Sequence, residues 1–180
     1  MVMYDIYGRL VPNEKPLPHL SGYQNSLPVL RGNMAASQVQ MDTYGEVICA
    51  LARLYKGKGR LDRETAFTLI RFGKYVCDHW SEPDAGIWEP RGEPELHTHS
   101  LLLCWVALDE LIRLAESGEI DRLPLDRFRS TREEIRAFIE TKAWKSHINS
   151  YSSVFTSAKM DATLLLMAFH NFHEGPSPKR

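Results

Sequence analysis

From Ala35 onward the apolar residues fall at helical spacing. Tyr44, Val47, Leu51 and Leu54 recur every three or four positions, widened by Ile48 and Tyr55, and Gly57 and Gly59 stop the run. That predicts a first amphipathic helix. Asp62 is a plausible N-cap for a second, with Leu69, Phe72, Val76 and Trp80 as its stripe and Pro83 as its terminator. A third helix is predicted over 98–116. Its run LLLCWVAL is apolar on every side, so it should be buried on every side. Ser130 and Glu133 have the spacing of a capping box that opens a fourth helix carrying Ile135, Phe138 and Ile139. Residues 145–159 are Ser-rich and read as a loop. A fifth helix, about 160–172, begins near Asp161 with Leu164, Leu165, Met167 and Ala168.

Residues 1–34 follow a different rule. Pro12, Pro16, Pro18 and Pro28, with Gly8, Gly22 and Gly32, forbid a long helix and predict an extended and looped stretch with short strands near residues 1–20. No strand alternation is visible after residue 34. The fold class is therefore all-α, one domain over 1–180: extended at 1–34, helical over 35–172, with a polar tail at 173–180. Amphipathic helices alternate with more buried ones, which suits layered helical hairpins with the third helix innermost.

Composition narrows the function classes. The 22 basic and 23 acidic residues nearly cancel, and no basic stripe interleaves with aromatics, so nucleic acid is not an expected partner. The longest apolar run is too short to cross a bilayer, and the start lacks the charge-then-apolar pattern of a signal peptide. Cys49, Cys77 and Cys104 sit singly in apolar helical patterns. They read as buried thiols of a reducing, cytoplasmic protein.

The chemistry concentrates in EPDAGIWEPRGEPELHTHS, residues 82–100. Trp88-Glu89 is boxed by Pro83, Gly86, Pro90 and Gly92. A carboxyl packed on an indole loses water, and its pKa rises toward that of a general acid. The alternative is a loop carboxylate paired with Arg91. His97 and His99 are two apart, so they do not share a helix face, and no further ligand sits at metal spacing. A helix start with polar contacts explains them, and no metal or other cofactor is called for. In QVQMDTYGEV, residues 38–47, Asp42 and Glu46 are a like-charge pair at i, i+4, and Gly45 weakens a helix. Either Gln40 and Asp42 face a polar pocket while Gly45 permits close helix approach, or this is a solvated face with a tolerated glycine.

Several of these stretches occur in a familiar order: GYQNSLPV, GN at 32–33, QMDTYGEV, HWSEPDAGIWEPRG, THS, CWVALD, IRLAE and DATLLL. The series, from about Gly22 to about Leu166, resembles glycoside hydrolase family 15, which includes glucoamylases, glucodextranases and some bacterial trehalases. The resemblance implies an (α/α)6 toroid, of which this chain would supply about half. It implies inverting hydrolysis of α-glucosidic bonds in an oligosaccharide or disaccharide, with Glu89 as general acid. Trp88, Arg91, Gln40, Asp42 and His99 would surround the sugar.

The chain departs from the family pattern in places. PVLRGN has Leu30 and Arg31 where an arginine normally precedes the hydrophobic residue. Leu101 stands where the family has lysine after THS. Asn149-Ser150-Tyr151-Ser152 replaces a Gln-Ser-Tyr-Gly run. The resemblance also places the Arg-Asp sugar grip and the general base outside these residues. Glu174 is the sole carboxylate after Asp161, and it lies in the polar tail. The expectation is half a mechanism: no turnover by this chain alone, and an unfinished apolar flank for self-association or a complementing segment. A non-catalytic sugar-binding, regulatory or scaffold role on the same fold is the alternative reading, as in the family-like domains of the phosphorylase kinase regulatory subunits.

Overall fold

The computed structural model describes residues 4–10, 14–90 and 92–173. Strands β1 (Lys15–Pro16) and β2 (Leu30–Arg31) pair antiparallel in the Pro-rich entrance. Helices α1 (Asp42–Tyr55), α2 (Arg63–His79), α3 (Thr98–Glu116) and α4 (Leu125–Phe138) follow. A short hairpin, β3 (Trp144–Lys145) with β4 (Ser150–Tyr151), and a last turn, α5 (Leu166–Phe169), complete the described chain.

α3 is the innermost element. Residues Thr98 to Asp109 are buried without a break, and Leu111, Ile112 and Leu114 continue the buried surface. α1, α2 and α4 all pack on it. Their directions follow from single contacts. A Cβ on Gly45 would meet Leu103 near the start of both α1 and α3, while Arg53 and Glu110 line one recess near their ends, so these helices run parallel. Leu61, just before α2, donates its N–H to Glu119, just past α3, so α2 runs the other way. On α4, Arg129 reaches Glu116 at 2.9 Å and Arg132 reaches Asp109 at 2.8 Å, which reverses α4 as well. α2 and α4 run parallel to each other: Phe128 lies against Gly73, and Phe138 meets Trp80 edge-on at 5.6 Å. The result is a pair of parallel helices backed by a second pair running oppositely, as helical hairpins in layers require.

Two glycines set these distances. A Cβ on Gly45 would lie 2.3 Å from the Leu103 carbonyl oxygen, and one on Gly73 would lie 2.6 Å from Leu111 Cδ1. Gly45 therefore permits close helix approach, as one of its two sequence readings held.

The structure revises five expectations. Residues 34–37 form a 3₁₀ turn capped by Asn33, and α1 begins only at Asp42, so Gln38 to Gln40 lie outside the helix. The stripe Tyr44, Val47, Leu51, Leu54 is not the core face of α1. Val47 and Leu54 are exposed, and the core takes Ile48, Cys49 and Ala52 through the small-residue side around Gly45. α4 starts at Leu125 after Pro124, ahead of the capping box. Phe128 needs that extra turn to fill the space beside Gly73, and the Ser130 hydroxyl instead donates to Glu134. The 145–159 loop holds the β3–β4 hairpin. Strands of two residues show no alternation; Asn149 in a left-handed conformation and a Trp144–Tyr151 ring contact form it. The fifth helix is mostly a 3₁₀ turn over Ala162–Leu165, with one helical turn after it. Asp62 and Asp161 do cap as read: each accepts a backbone N–H from the following turn, Thr65 at 2.9 Å and Thr163 at 2.7 Å. Glu174 and the rest of the polar tail after His173 lie outside the described residues.

Candidate active site

The loop carrying Trp88 and Glu89 is closed at its base by backbone pairing. Asp84 and Glu95 exchange N–H to carbonyl bonds at 2.9 and 3.0 Å, and Ala85 donates to Val39 at 2.9 Å. Gly86 adopts φ +62°, and a Cβ there would run into the His97 ring at 2.8 Å, so this position needs glycine twice over. Glu89 also has positive φ, at 49°. That conformation is costly for a residue with a side chain, and its persistence at the candidate acid marks an imposed geometry.

Two side-chain bonds aim the loop. Gln40 Nε2 donates to Glu89 Oε1 at 2.9 Å. Trp88 Nε1 donates to Asp161 Oδ2 at 2.7 Å, although the indole is 67% exposed. Burial would raise the Asp161 carboxyl, but the backbone and hydroxyl of Thr163 and the Trp88 indole outweigh it and hold the pKa below its ordinary value. Glu89 itself is exposed. The dry, indole-packed carboxyl expected from the sequence is therefore not built by the described residues: Glu89 is exposed and its Oε1 is bonded to Gln40.

Beneath the loop lies a buried polar layer at the starts of α1 and α3. Asp42 and His99 are each 4% exposed, with Asp42 Oδ2 3.4 Å from His99 Nδ1. Asp42 opens α1, where the helix dipole favours a carboxylate. Glu46 is exposed. Asp84, 2% exposed, accepts from the Met41 N–H at 2.9 Å and from Ser100 Oγ at 2.8 Å, both on Oδ2. Burial pushes the Asp84 pKa up, against the pull of those two donors.

The structure thus brings Glu89 to Gln40, Trp88 to Asp161 and Asp42 to His99. The two histidines diverge: His97 lies against Gly86, His99 against Asp42. Arg91 lies outside the described residues. Leu101, in the position of the family's lysine, is buried in α3. Sequence reasoning missed Asp84 altogether. A lone aspartate between proline and alanine carries no periodic signal, and its partners are 43 and 16 residues away. A recess of about 370 Å³ opens behind the loop, lined by Met34, Gln38, Pro83, Asp84, Pro90 and Glu93. A larger one, about 600 Å³, lies between the far ends of α1 and α3, around Arg53, Lys56, Glu110 and Arg113. Neither is lined by Glu89. The chemistry points to the loop face, where the aimed carboxyl is, despite the size of the far recess.

Comparison with known proteins bears on that face. The chain is 35% identical to a trehalase of Mycobacterium tuberculosis over 99% of its length and 26% of the relative's. Trehalase 1 of Sulfolobus acidocaldarius is 33% identical over 98% of this chain and 30% of its own. A trehalase of Thermoplasma volcanium is 28% identical over 88% of this chain and 25% of its own. The chain therefore spans about a quarter of the length of the curated relatives it matches. No solved structure matches it. The model of the glycosyl hydrolases family 15 matches residues 1–177, taking in the Glu89 loop and every helix around it, and the chain belongs to that family.

Proposed function

We propose that this chain carries the general-acid segment of an inverting α-glucosidase, with trehalose as its substrate. The observation that carries the reading is the Gln40–Glu89 bond of 2.9 Å, made by an exposed carboxyl on a loop pinned at both Trp88 and Asp84. Gln40 occupies Oε1 and leaves Oε2 to hold the proton and deliver it to the glycosidic oxygen. Such proton transfer contributes about 10²–10⁴-fold. Trp88 forms a wall beside it, and Asp42 and His99 support the sugar site from below. Trehalose is the choice because the relatives named above are trehalases.

The layered, alternately directed helices are taken as part of an (α/α)6 toroid. Inversion needs a second carboxyl, roughly 6.5–9.5 Å from the acid, to activate water on the opposite face of the sugar. Family resemblance places that base outside these residues. Arg91, next but one after the acid, is proposed as a further sugar contact.

The test uses residues 1–180 alone and a chimera in which they replace the matching stretch of the M. tuberculosis trehalase. The chimera is expected to hydrolyse trehalose in preference to maltose and isomaltose, and the chain alone to show no turnover. Glu89→Gln should abolish hydrolysis by the chimera and keep trehalose affinity, because the amide keeps the shape and the Gln40 contact but has no proton to give. Hydrolysis insensitive to that substitution would move the chemistry elsewhere. A chimera that binds trehalose without turnover would favour the sugar-binding or regulatory role, for which Leu101 in place of lysine is the specific support.

A further inference from the structure

We infer that Asp84 is the positioning residue of the acid loop: its buried carboxylate sets the aim of Trp88 and Glu89 by tying the loop to the starts of α1 and α3. The inference rests on the reading of Glu89 as the acid, and it concerns a residue that takes no part in that reaction.

The argument is one of adjacency. Asp84 Oδ2 accepts from residue 41 and from residue 100. Those two residues are the immediate chain neighbours of Gln40, Asp42 and His99. One oxygen therefore holds the Met41 backbone N–H and the Ser100 hydroxyl, beside the points from which three site side chains depart. The same residue closes the loop by its own backbone, through the paired bonds to Glu95, and its neighbour Ala85 is bonded to Val39. The hydrogen bonds that join Met41, Ser100 and Val39 to the loop base all land on Asp84 or its neighbour Ala85. Five residues further on, the loop reaches Glu89, where the left-handed backbone is imposed and not preferred.

A carboxylate is suited to this because a single oxygen can take two donors at once. Ser100 and Asp84 are 1% and 2% exposed, so water cannot replace either partner cheaply. An alanine at residue 84 would leave a buried N–H and a buried hydroxyl without an acceptor. An asparagine would keep an acceptor oxygen in place for both donors, while removing the charge and replacing the other oxygen with an amide NH2. Positioning therefore predicts that Asp84→Asn is tolerated and Asp84→Ala is not; a role for the charge or the proton of Asp84 predicts that both fail.

The readout is fluorine NMR of residues 1–180 labelled with 5-fluorotryptophan. The Trp88 line is assigned by its loss in Trp88→Phe. Asp84→Ala and Ser100→Ala are expected to move or broaden the Trp88 line while the lines of Trp105 and Trp144, set in the core and in the hairpin, stay in place. Asp84→Asn should restore the Trp88 line toward its native position. If Asp84→Ala fails to fold, Ser100→Ala carries the test, since it removes one donor and strands no acceptor-seeking group. The inference is overturned if the Trp88 line stays where it is in Ser100→Ala and Asp84→Ala, if all tryptophan lines move together, or if Asp84→Asn is as disruptive as Asp84→Ala. None of this depends on turnover, so a failed Glu89→Gln experiment would remove the proposed activity and leave the result on Asp84 readable.

Discussion

At the scale of single residues, the site depends on small groups of hydrogen bonds that hold exposed side chains still. Trp88 is the clearest case. Its indole is largely in water, yet its N–H is committed to Asp161, which also caps the turn after it. The folded pKa of Asp161 lies below the ordinary 3.8, so its contribution to stability is complete above that value and is lost as pH falls through the folded pKa. Trp88→Phe removes one of the donors that lower it. The expected result is a rise in the Asp161 pKa, read by carboxyl NMR titration, with acid unfolding beginning at a higher pH than in the native chain. An unchanged Asp161 titration would mean the indole bond does not persist in solution. Glu89 supplies a second residue-scale prediction. Its left-handed backbone costs about 1 kcal/mol for any side chain and little for glycine. Urea unfolding should therefore find Glu89→Gly more stable than Glu89→Ala by about that amount, though neither retains the carboxyl.

At the scale of elements, helix α3 is the part of the fold most legible in the chain. An all-round apolar run can be satisfied in only one place, and the predicted 98–116 coincides with Thr98–Glu116. α1 departs from its hydrophobic periodicity for a physical reason. Its large apolar residues lie on the outward face, while the core face is built of Gly45, Ile48, Cys49 and Ala52 so that the backbone of α3 can come close. Periodicity weights side-chain size, and here close approach selects against size. Gly45→Ala is the measurable consequence. In a free helix it would gain about 1 kcal/mol. Here the new methyl meets the Leu103 carbonyl at 2.3 Å, a backbone atom that cannot swing away. The net change should be a loss of about 1–3 kcal/mol in urea unfolding. Gly73→Ala should lose less than Gly45→Ala, because the groups it meets are the side-chain ends of Leu111 and Phe128. Within the site, Glu89, Trp88 and Gln40 could be picked out from the sequence because they are close to loop punctuation or helix starts. The links that aim them could not: Gln40 to Glu89, Trp88 to Asp161 and Met41 to Asp84 join positions 49, 73 and 43 residues apart.

At the scale of the whole molecule, the outward stripe of α1 is an apolar face that the described residues leave partly uncovered. Val47 and Leu54 are exposed at one helical face, Tyr44 and Leu51 on the same face are only half-buried, and all four follow helical spacing. α2 continues the surface. Tyr75 stacks on Tyr44 at 4.8 Å, and Tyr44, Phe72 and Tyr75 border a shallow recess of about 260 Å³. On the toroid reading, an apolar face of this kind would serve as a docking surface. Its partner would be another helix of the same ring, and the relatives are about four times as long as this chain. Residues 1–180 expressed alone present that face to water. Light scattering should therefore find them self-associated, with the association weakening as the chain is diluted. Val47→Lys with Leu54→Lys places two charges on the stripe without touching Ile48, Cys49 or Ala52. The doubly substituted chain should run as a monomer, with its melting temperature within about 2 °C of the original, since exposed substitutions away from the core usually change stability by less than about 0.5 kcal/mol. A monomer before substitution would mean the stripe is satisfied within the chain. A loss of folding after it would mean that the stripe belongs to the core after all.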